Sequence, residues 1–169
     1  MVAVRCIDKF ELYVGRLENP PRNRIGEVEC RLVCAVRVPD GYIVPDYRVP
    51  SEILDSIDAK TDSFIAKNPQ FRDNCSALLR QDISFANFCF APGILDMASQ
   101  LIGSDIALWN MSLFGKPAND GKATPWHQDG EYWPIRPLAT CSVWVAVDES
   151  SEENGCLEVI PGSHREKSL

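Results

Sequence analysis

His127 and Asp129 are the residues of this chain whose types and spacing could do chemistry. The sequence contains only two histidines, and this one lies two positions from a carboxylate. Residues i and i+2 of a β-strand point to the same face, so the imidazole and the carboxylate can converge. They would then supply two ligands of a 2-His-1-carboxylate triad, which binds Fe(II) and leaves positions open for substrate and oxygen. The alternative is an ordinary His–Asp hydrogen bond or a polar surface.

The composition limits the kinds of partner that this chain can have. A length of 169 residues suits one domain with a substantial core. The net charge of −7 argues against nucleic acid, which requires a basic surface, and against an anionic membrane surface. No apolar run approaches the roughly 20 residues that a membrane span needs. We therefore expect no nucleic-acid or membrane partner, and the sequence leaves the oligomeric state open.

The cysteines predict a reducing compartment. There are seven of them, an odd number, at irregular spacing and with no C-x-x-C pair. Cys30 and Cys34 have no histidine nearby, which argues against a zinc site there. Charged residues interrupt the start of the chain, so it does not have the pattern of a signal peptide. We expect a cytoplasmic protein whose thiols are free and behave as small hydrophobic groups.

The first third of the chain predicts one clear strand. Residues 1–37 stay unassigned, except that apolar and charged residues alternate over 28–38 and predict a strand there. The turn residues Pro39-Asp40-Gly41 then lead to a second predicted strand at 42–44.

The middle of the chain predicts three helices. Ser51 is expected to cap the first, which ends at Asn68-Pro69. A short second helix is predicted over 73–81. The third covers 92–103, with Pro92 in its first turn and Gly103 past its end. The apolar positions expected to face the core are Ile53, Leu54, Ile57, Phe64 and Ile65 in the first helix, and Ile94, Leu95, Ala98, Leu101 and Ile102 in the third.

After Gly103 the apolar period changes to two, which indicates strands. The predicted strands are 106–114, 126–130 with the His127–Asp129 pair, 140–147, and 156–160. A loop at 115–123 precedes the pair, and an acidic turn at 148–155 separates the last two strands. Val143, Val145 and Val147 are expected to share one face.

The residues around the His–Asp pair resemble one known family. Residues 124–164 closely resemble the phytanoyl-CoA dioxygenases, which are Fe(II)- and 2-oxoglutarate-dependent oxygenases. A lone H-x-D triplet is weak evidence for this family, but the ordered set of matches over about forty residues is specific to it. Residues 38–169 are compatible with the family as one domain. The matching elements are His127-Gln128-Asp129, Tyr132-Trp133-Pro134, Arg136-Pro137, Trp144, Asn154-Gly155, Pro161-Gly162-Ser163-His164 and, upstream, Lys116-Pro117.

The resemblance implies a mainly β fold with outer helices, a cupin-like double-stranded β-helix or jelly roll. His127 and Asp129 would be two of its three iron ligands. The family's third ligand is a distal histidine, followed by an arginine that pairs with 2-oxoglutarate, and this chain has no counterpart of either. His164 belongs to the family's Pro-Gly-Ser-His turn, which is not a metal site. We therefore expect a partial jelly roll without its last strands, unstable or inactive as this polypeptide.

The resemblance also suggests roles for residues near the pair. Trp144 matches a tryptophan near 2-oxoglutarate, and Ser112 lies where the family places a residue that lines the cosubstrate site; a core role is the alternative for Trp144. Trp133, Arg136 and Gln128 are candidates for substrate contacts. Their alternatives are a core aromatic, an ion pair with a nearby Glu, and an amide that points away from the metal by strand alternation.

The implied activity is hydroxylation of an unactivated C–H bond of a small organic substrate, with Fe(II), 2-oxoglutarate and O2. Two other functions stay open. One is a non-catalytic truncated remnant with weak or no metal binding. The other is a cupin-like protein that uses another metal for hydrolysis or isomerisation. The sequence does not name the substrate.

Overall fold

The computed structural model describes residues 3–5, 10–16, 39–129, 133–134, 140–148 and 150–165, the first two ranges as backbone. Within them the chain forms two antiparallel sheets and a set of helices. The predicted strand over 28–38 lies outside the described residues.

The larger sheet has four strands in the order β3-β4-β2-β6. They are β2 (Phe10–Arg16), β3 (Asn74–Cys75), β4 (Ile106–Phe114) and β6 (Thr140–Val145). The prediction for β4 is confirmed at both ends. The predicted strand at 140–147 begins at the expected residue but ends two residues early. The two long strands β4 and β6 do not pair with each other, because β2 lies between them.

The smaller sheet has three strands in the order β5-β1-β7. These are β1 (Ala3–Arg5), β5 (His127–Gln128) and β7 (Glu158–Ile160). The predicted strands at 126–130 and 156–160 are therefore shorter than expected. One reason is local: Asp129 already belongs to a turn, and the backbone N–H of Cys156 donates to the carbonyl of Ser151 at 2.9 Å.

The first helix, α1 (Ser51–Lys67), begins and ends close to the predicted bounds. Ser51 is its first residue rather than its cap; Pro50 occupies the cap position and makes no side-chain cap bond. The predicted end at Asn68 is confirmed. The side-chain amide of Asn68 donates to the carbonyl of Phe64 at 2.9 Å, which satisfies one of the helix's free carbonyl groups.

Two further helices differ from their predictions at the ends. The predicted helix over 73–81 is wrong in its first half, since β3 pairs with the end of β4 and only α2 (Leu78–Gln81) is helical. The third, α3 (Ile94–Ile102), starts after Pro92 and ends before Gly103, whose φ of 95° suits a residue without a side chain.

Other segments fold in ways that periodicity did not predict. Three 3₁₀ helices were missed: Pro69–Phe71, Ile83–Phe90 and Ser163–Arg165. The strand predicted at 42–44 is wrong, because these residues pair with no strand in the described part of the chain and run irregularly along a cavity.

The hydrophobic core lies between the helices and one face of the larger sheet. Met111 and Val143 both lie opposite Leu12 of β2, so they share that face. Phe85 is fully buried and meets Phe64 edge-on at 5.7 Å. Met97, which the predicted stripe of α3 omitted, is buried as well. The buried apolar residues are Ile57, Phe64, Cys75, Leu78, Phe85, Cys89, Ala91, Ile94, Met97, Ala98, Ile102, Met111, Leu113, Cys141 and Val143.

The four described cysteines are free thiols, and three of them are buried. Burial raises the pKa of Cys89 to about 12, so this thiol stays protonated and unreactive. None of the helices in the described part of the chain has the length and apolar character of a membrane span.

Asp82 gives a test of the fold. Its carboxylate accepts from the Ser84 backbone N–H at 2.9 Å, which caps the 3₁₀ helix that carries Phe85, and from Lys60 Nζ at 3.0 Å. We predict that Asp82→Ala lowers the free energy of unfolding by about 1 kcal/mol at neutral pH. Asp82→Asn keeps a capping oxygen and should lose less. Denaturant unfolding monitored by circular dichroism measures both.

The same residue predicts a pH dependence. Hydrogen bonds from Ser84 and then Lys60 lower the pKa of Asp82 from 3.8 to about 2. The stabilisation is therefore complete above the unfolded pKa and is lost as the pH falls towards 2. The stability difference between the wild type and Asp82→Ala should shrink over that window. A difference that stays constant from pH 7 to pH 2 would contradict this account of the cap.

Candidate metal centre

The imidazole of His127 and the carboxylate of Asp129 lie together just after the two-residue strand β5. His127 Nε2 is 3.3 Å from Asp129 Oδ1. The side chain of His127 is 34% exposed and that of Asp129 12%, so the imidazole is partly accessible and the carboxylate is largely covered. The convergence expected from the i, i+2 spacing is present, although Asp129 is in the turn and not on the strand.

Two neighbouring groups orient this pair. His127 Nδ1 lies 2.9 Å from the carbonyl oxygen of Pro125, which only accepts, so Nδ1 carries a hydrogen and donates it. The hydroxyl of Ser142 donates to Asp129 Oδ2 at 2.8 Å. Each outer atom of the pair therefore has a partner, and the inner atoms Nε2 and Oδ1 face each other.

The electrostatics of the pair favour a positive charge between the two residues. The hydrogen bond with Asp129 raises the pKa of His127 above its ordinary 6.5, against the opposing effect of burial. A proton can occupy Nε2 in the metal-free chain. A metal ion at the same place must displace that proton, so the two compete.

The donor atoms fit a single metal ion. Nitrogen and carboxylate ligands about 2.1 Å from one ion and at right angles would be about 3.0 Å apart. The observed 3.3 Å is close to this separation. The Pro125 and Ser142 contacts are of the kind that second-layer groups make to metal ligands, since they fix the imidazole tautomer and the carboxylate rotamer. The residues present therefore suit a metal that accepts one imidazole and one carboxylate.

A third ligand does not come from the described part of the chain. No group of three His, Cys, Asp or Glu residues among the described residues could hold a metal ion. His164 lies in the 3₁₀ helix Ser163–Arg165, and this segment is tied back to residues 39–40. The backbone N–H of Gly162 donates to the backbone carbonyl of Asp40, and the Arg165 guanidinium donates to the Pro39 carbonyl at 2.7 Å.

The structure places Trp144 and Ser112 on the sheet face that also carries Ser142. Trp144 lies two residues along β6 from Ser142, and both Trp144 and Ser112 lie opposite Glu11 of β2. Trp144 Nε1 is buried without a hydrogen-bond partner among the described residues. The Ser112 side chain is 2% exposed and its hydroxyl donates to the Ser76 carbonyl at 3.2 Å.

The three predicted substrate contacts have different outcomes. Gln128 points away from His127, as the strand alternation predicts, and its amide donates to the Ser163 carbonyl at 2.8 Å. Trp133 is half-buried. Arg136 lies outside the described residues. The geometry thus brings His127 and Asp129 together and directs Gln128 elsewhere.

Sequence reasoning missed Ser142, the residue that holds the Asp129 carboxylate. A signal was present, because Val143, Val145 and Val147 are expected to share one face of the strand. Strand alternation then places Ser142 and Trp144 on the opposite face. A hydroxyl on that face, two residues from Trp144, was a candidate partner for the pair.

Comparison with known proteins identifies the family of this chain. The family model described as Phytanoyl-CoA dioxygenase (PhyH) matches residues 40–168, which is more than half of the chain. The chain belongs to the phytanoyl-CoA dioxygenase family. Members of this family are dioxygenases, and they generally depend on Fe(II) and 2-oxoglutarate.

Individual relatives share about a third of the aligned residues. A "Probable phytanoyl-CoA dioxygenase" of Caenorhabditis elegans is 36% identical over 116 residues, which are 62% of this chain and 37% of the relative. The human "Phytanoyl-CoA dioxygenase, peroxisomal" is 37% identical over 91 residues, or 51% of this chain and 27% of the relative. An "L-proline trans-4-hydroxylase" of Streptomyces griseoviridis is 34% identical over 76 residues, or 43% and 28%.

The chain thus matches well under half the length of each of these relatives. No solved structure matches it.

Ser142 provides a test of the centre's geometry. We predict that Ser142→Ala weakens the binding of Mn(II), used as a redox-stable substitute, by about 10- to 100-fold, because Asp129 loses a hydrogen bond that helps to fix its rotamer. Ser142→Thr keeps the hydroxyl and should bind nearly as the wild type does. The electron paramagnetic resonance signal of free Mn(II) measures the affinity. Equal affinities for all three proteins would show that Ser142 does not position Asp129.

Proposed function

We propose that His127 and Asp129 bind Fe(II) in a 2-oxoglutarate-dependent oxygenase that hydroxylates an unactivated C–H bond of a small organic substrate. The observation that carries this proposal is the 3.3 Å approach of Nε2 to Oδ1, with both outer atoms held by other groups. A simple surface ion pair would not need a tautomer-fixing carbonyl on one side and a hydroxyl on the other. Family membership supports the same reaction class.

We also propose that the two sheets belong to a double-stranded β-helix. His127 lies in the three-stranded sheet and Ser142 in the four-stranded sheet. The Ser142–Asp129 hydrogen bond therefore joins the end of one sheet to the face of the other. A jelly roll packs two antiparallel sheets together, and we propose that the His127–Asp129 pair lies where the two sheets meet.

Each residue then has a defined task. The Pro125 carbonyl holds the Nδ1 hydrogen, so the imidazole presents Nε2 as a ligand. The Ser142 hydroxyl holds Oδ2, so the carboxylate presents Oδ1. We propose that Trp144 contacts the cosubstrate 2-oxoglutarate, and that Ser112 lines the same face of the sheet. When bound, Fe(II) with 2-oxoglutarate and O2 supplies the oxidising chemistry, in which the cosubstrate becomes succinate and carbon dioxide.

A second candidate function is a non-catalytic protein that binds metal weakly. The observation in its favour is that the described residues offer two ligands and no third. Ligand number and geometry determine how firmly Fe(II) is retained. We therefore expect weak Fe(II) binding by this polypeptide.

The free thiols of the described residues suit a reducing compartment, which we propose is the cytosol.

The two candidates are separated by anaerobic titration of the chain with Fe(II) and 2-oxoglutarate. The oxygenase proposal predicts a visible charge-transfer band, which requires both to bind the same site. Asp129→Ala should abolish the band, because it removes one of the two ligands. Asp62→Ala, which removes an exposed carboxylate on α1, is the matched control and should keep it. A full band in Asp129→Ala would refute the metal assignment, and no band in any protein would favour the second candidate.

A further inference from the structure

Strand β5 leads into the candidate metal centre but contains only two residues, His127 and Gln128. Among the described residues it pairs with β1, where Val4 lies opposite His127 and Ala3 lies opposite Gln128. A ladder of two residues supplies few backbone hydrogen bonds. A slip of one residue along it would exchange the faces to which the two side chains point. The position of the metal pair therefore depends on any further contact that fixes β5.

The side chain of Gln128 makes such a contact. Its amide nitrogen donates to the backbone carbonyl of Ser163 at 2.8 Å, and the bond is partly buried. Ser163 lies three residues after the end of β7, so the bond joins the two outer strands of the smaller sheet, with β1 between them. Ala3 lies opposite both Gln128 and Ile160, so these two residues share one face of the sheet. A hydrogen bond across β1 on this face holds β5 in one register.

The carbonyl that accepts this bond belongs to an anchored turn. Ser163 is only 5% exposed, and its hydroxyl donates to the Ile160 carbonyl at 2.8 Å. On either side of it, Gly162 and Arg165 donate to the backbone carbonyls of residues 39–40. The turn after β7 is thus tied at several points, and Gln128 bonds to a fixed acceptor.

Gln128 is placed to act on both candidate ligands at once. Its backbone joins His127 to Asp129, and strand alternation directs its side chain to the face opposite that of His127. The donor atoms Nε2 and Oδ1, 3.3 Å apart, are therefore left free of the glutamine amide. Pro125 and Ser142 each hold one outer atom of a single ligand. Gln128, in contrast, holds the backbone that the two ligands share.

We propose that Gln128 is a positioning residue, which holds His127 and Asp129 at one metal-binding point by tying β5 to the turn after β7. It touches neither the metal nor the substrate in this role, which differs from the substrate contact that the family resemblance suggested. The effect on metal binding rests on the proposed function, whereas the tie between β5 and the turn does not.

Hydrogen–deuterium exchange of the metal-free chain tests the tie itself. Gln128→Met keeps the length of the side chain but removes the donor, so a peptide that contains residues 127–129 should exchange about two- to ten-fold faster. Gln100→Met is the matched control. The amide of Gln100 also donates to a backbone carbonyl, that of Asp96 at 3.2 Å, but within α3, so its loss should leave β5 unchanged. Wild-type exchange of β5 in Gln128→Met would overturn the proposal.

The second test measures the affinity for Mn(II) through the electron paramagnetic resonance signal of the free ion. Gln128→Met should bind Mn(II) about ten-fold more weakly than the wild type, because the two donor atoms are less well placed. Gln100→Met should bind it as the wild type does. No substrate is present, so a residue that only contacts substrate would leave the affinity unchanged. Wild-type affinity in Gln128→Met would therefore refute the positioning role.

Gly162 tests whether the turn is the route of the effect. Its φ is 79° and no atom lies within 4 Å of an added Cβ, so Gly162→Ala strains the turn without a clash. This variant should also bind Mn(II) more weakly, and Gln128→Met/Gly162→Ala should bind no more weakly than the weaker single variant, because both changes break the same tie. Gly155→Ala is the control: its φ of 84° gives similar strain in another turn, and its affinity should stay that of the wild type. Additive losses in the double variant, or full affinity in Gly162→Ala, would overturn the proposal.

The two measurements separate this inference from the proposed function. If the wild-type chain binds no Mn(II), the proposed function fails, and hydrogen exchange still decides whether Gln128 holds β5. If the wild type and Gln128→Met bind Mn(II) equally well, the proposed metal site stands and the positioning role of Gln128 is wrong.

Discussion

The hydrogen bond from Ser142 to Asp129 is the contact on which the candidate site depends. It links the turn after β5, a strand of the three-stranded sheet, to the middle of β6 in the four-stranded sheet. It holds Asp129 Oδ2 at 2.8 Å while Oδ1 lies 3.3 Å from His127 Nε2, so the two donor atoms approach one point. The Pro125 carbonyl does the same for the imidazole from within the loop. The geometry of the candidate site therefore depends on Pro125 and Ser142 as well as on the two candidate ligands.

This arrangement also explains how one sheet serves two purposes. On β6, Cys141 and Val143 are buried in the core, whereas Ser142 and Trp144 lie on the other face. The core face fixes the strand by burying apolar area against α3, and the other face thereby gains a rigid platform for polar groups. Trp144 also lines an apolar cavity, together with Val143 and Val145 of the core face.

Sequence patterns predicted the elements in which apolar residues recur with a single period over many residues. Helix α1 and strand β4 fall in this class, and so does the His127–Asp129 pair, because the i, i+2 rule is local. The patterns failed where tertiary pairing decides. Asn74–Cys75 became a strand because β4 offered an edge, and Ser142 was missed because its partner lies thirteen residues earlier, in the turn after β5. Cavities such as the one beside Trp144 have no local signature at all.

The central claim is that His127 and Asp129 bind the same metal ion, and pulsed electron paramagnetic resonance of the Mn(II)-loaded chain tests it most directly. The chain has only two histidines, so a coordinated imidazole can be assigned without ambiguity. The account predicts nitrogen modulation from one imidazole that persists in His164→Gln and disappears in His127→Gln. Modulation that disappears in His164→Gln, or survives in His127→Gln, would contradict it.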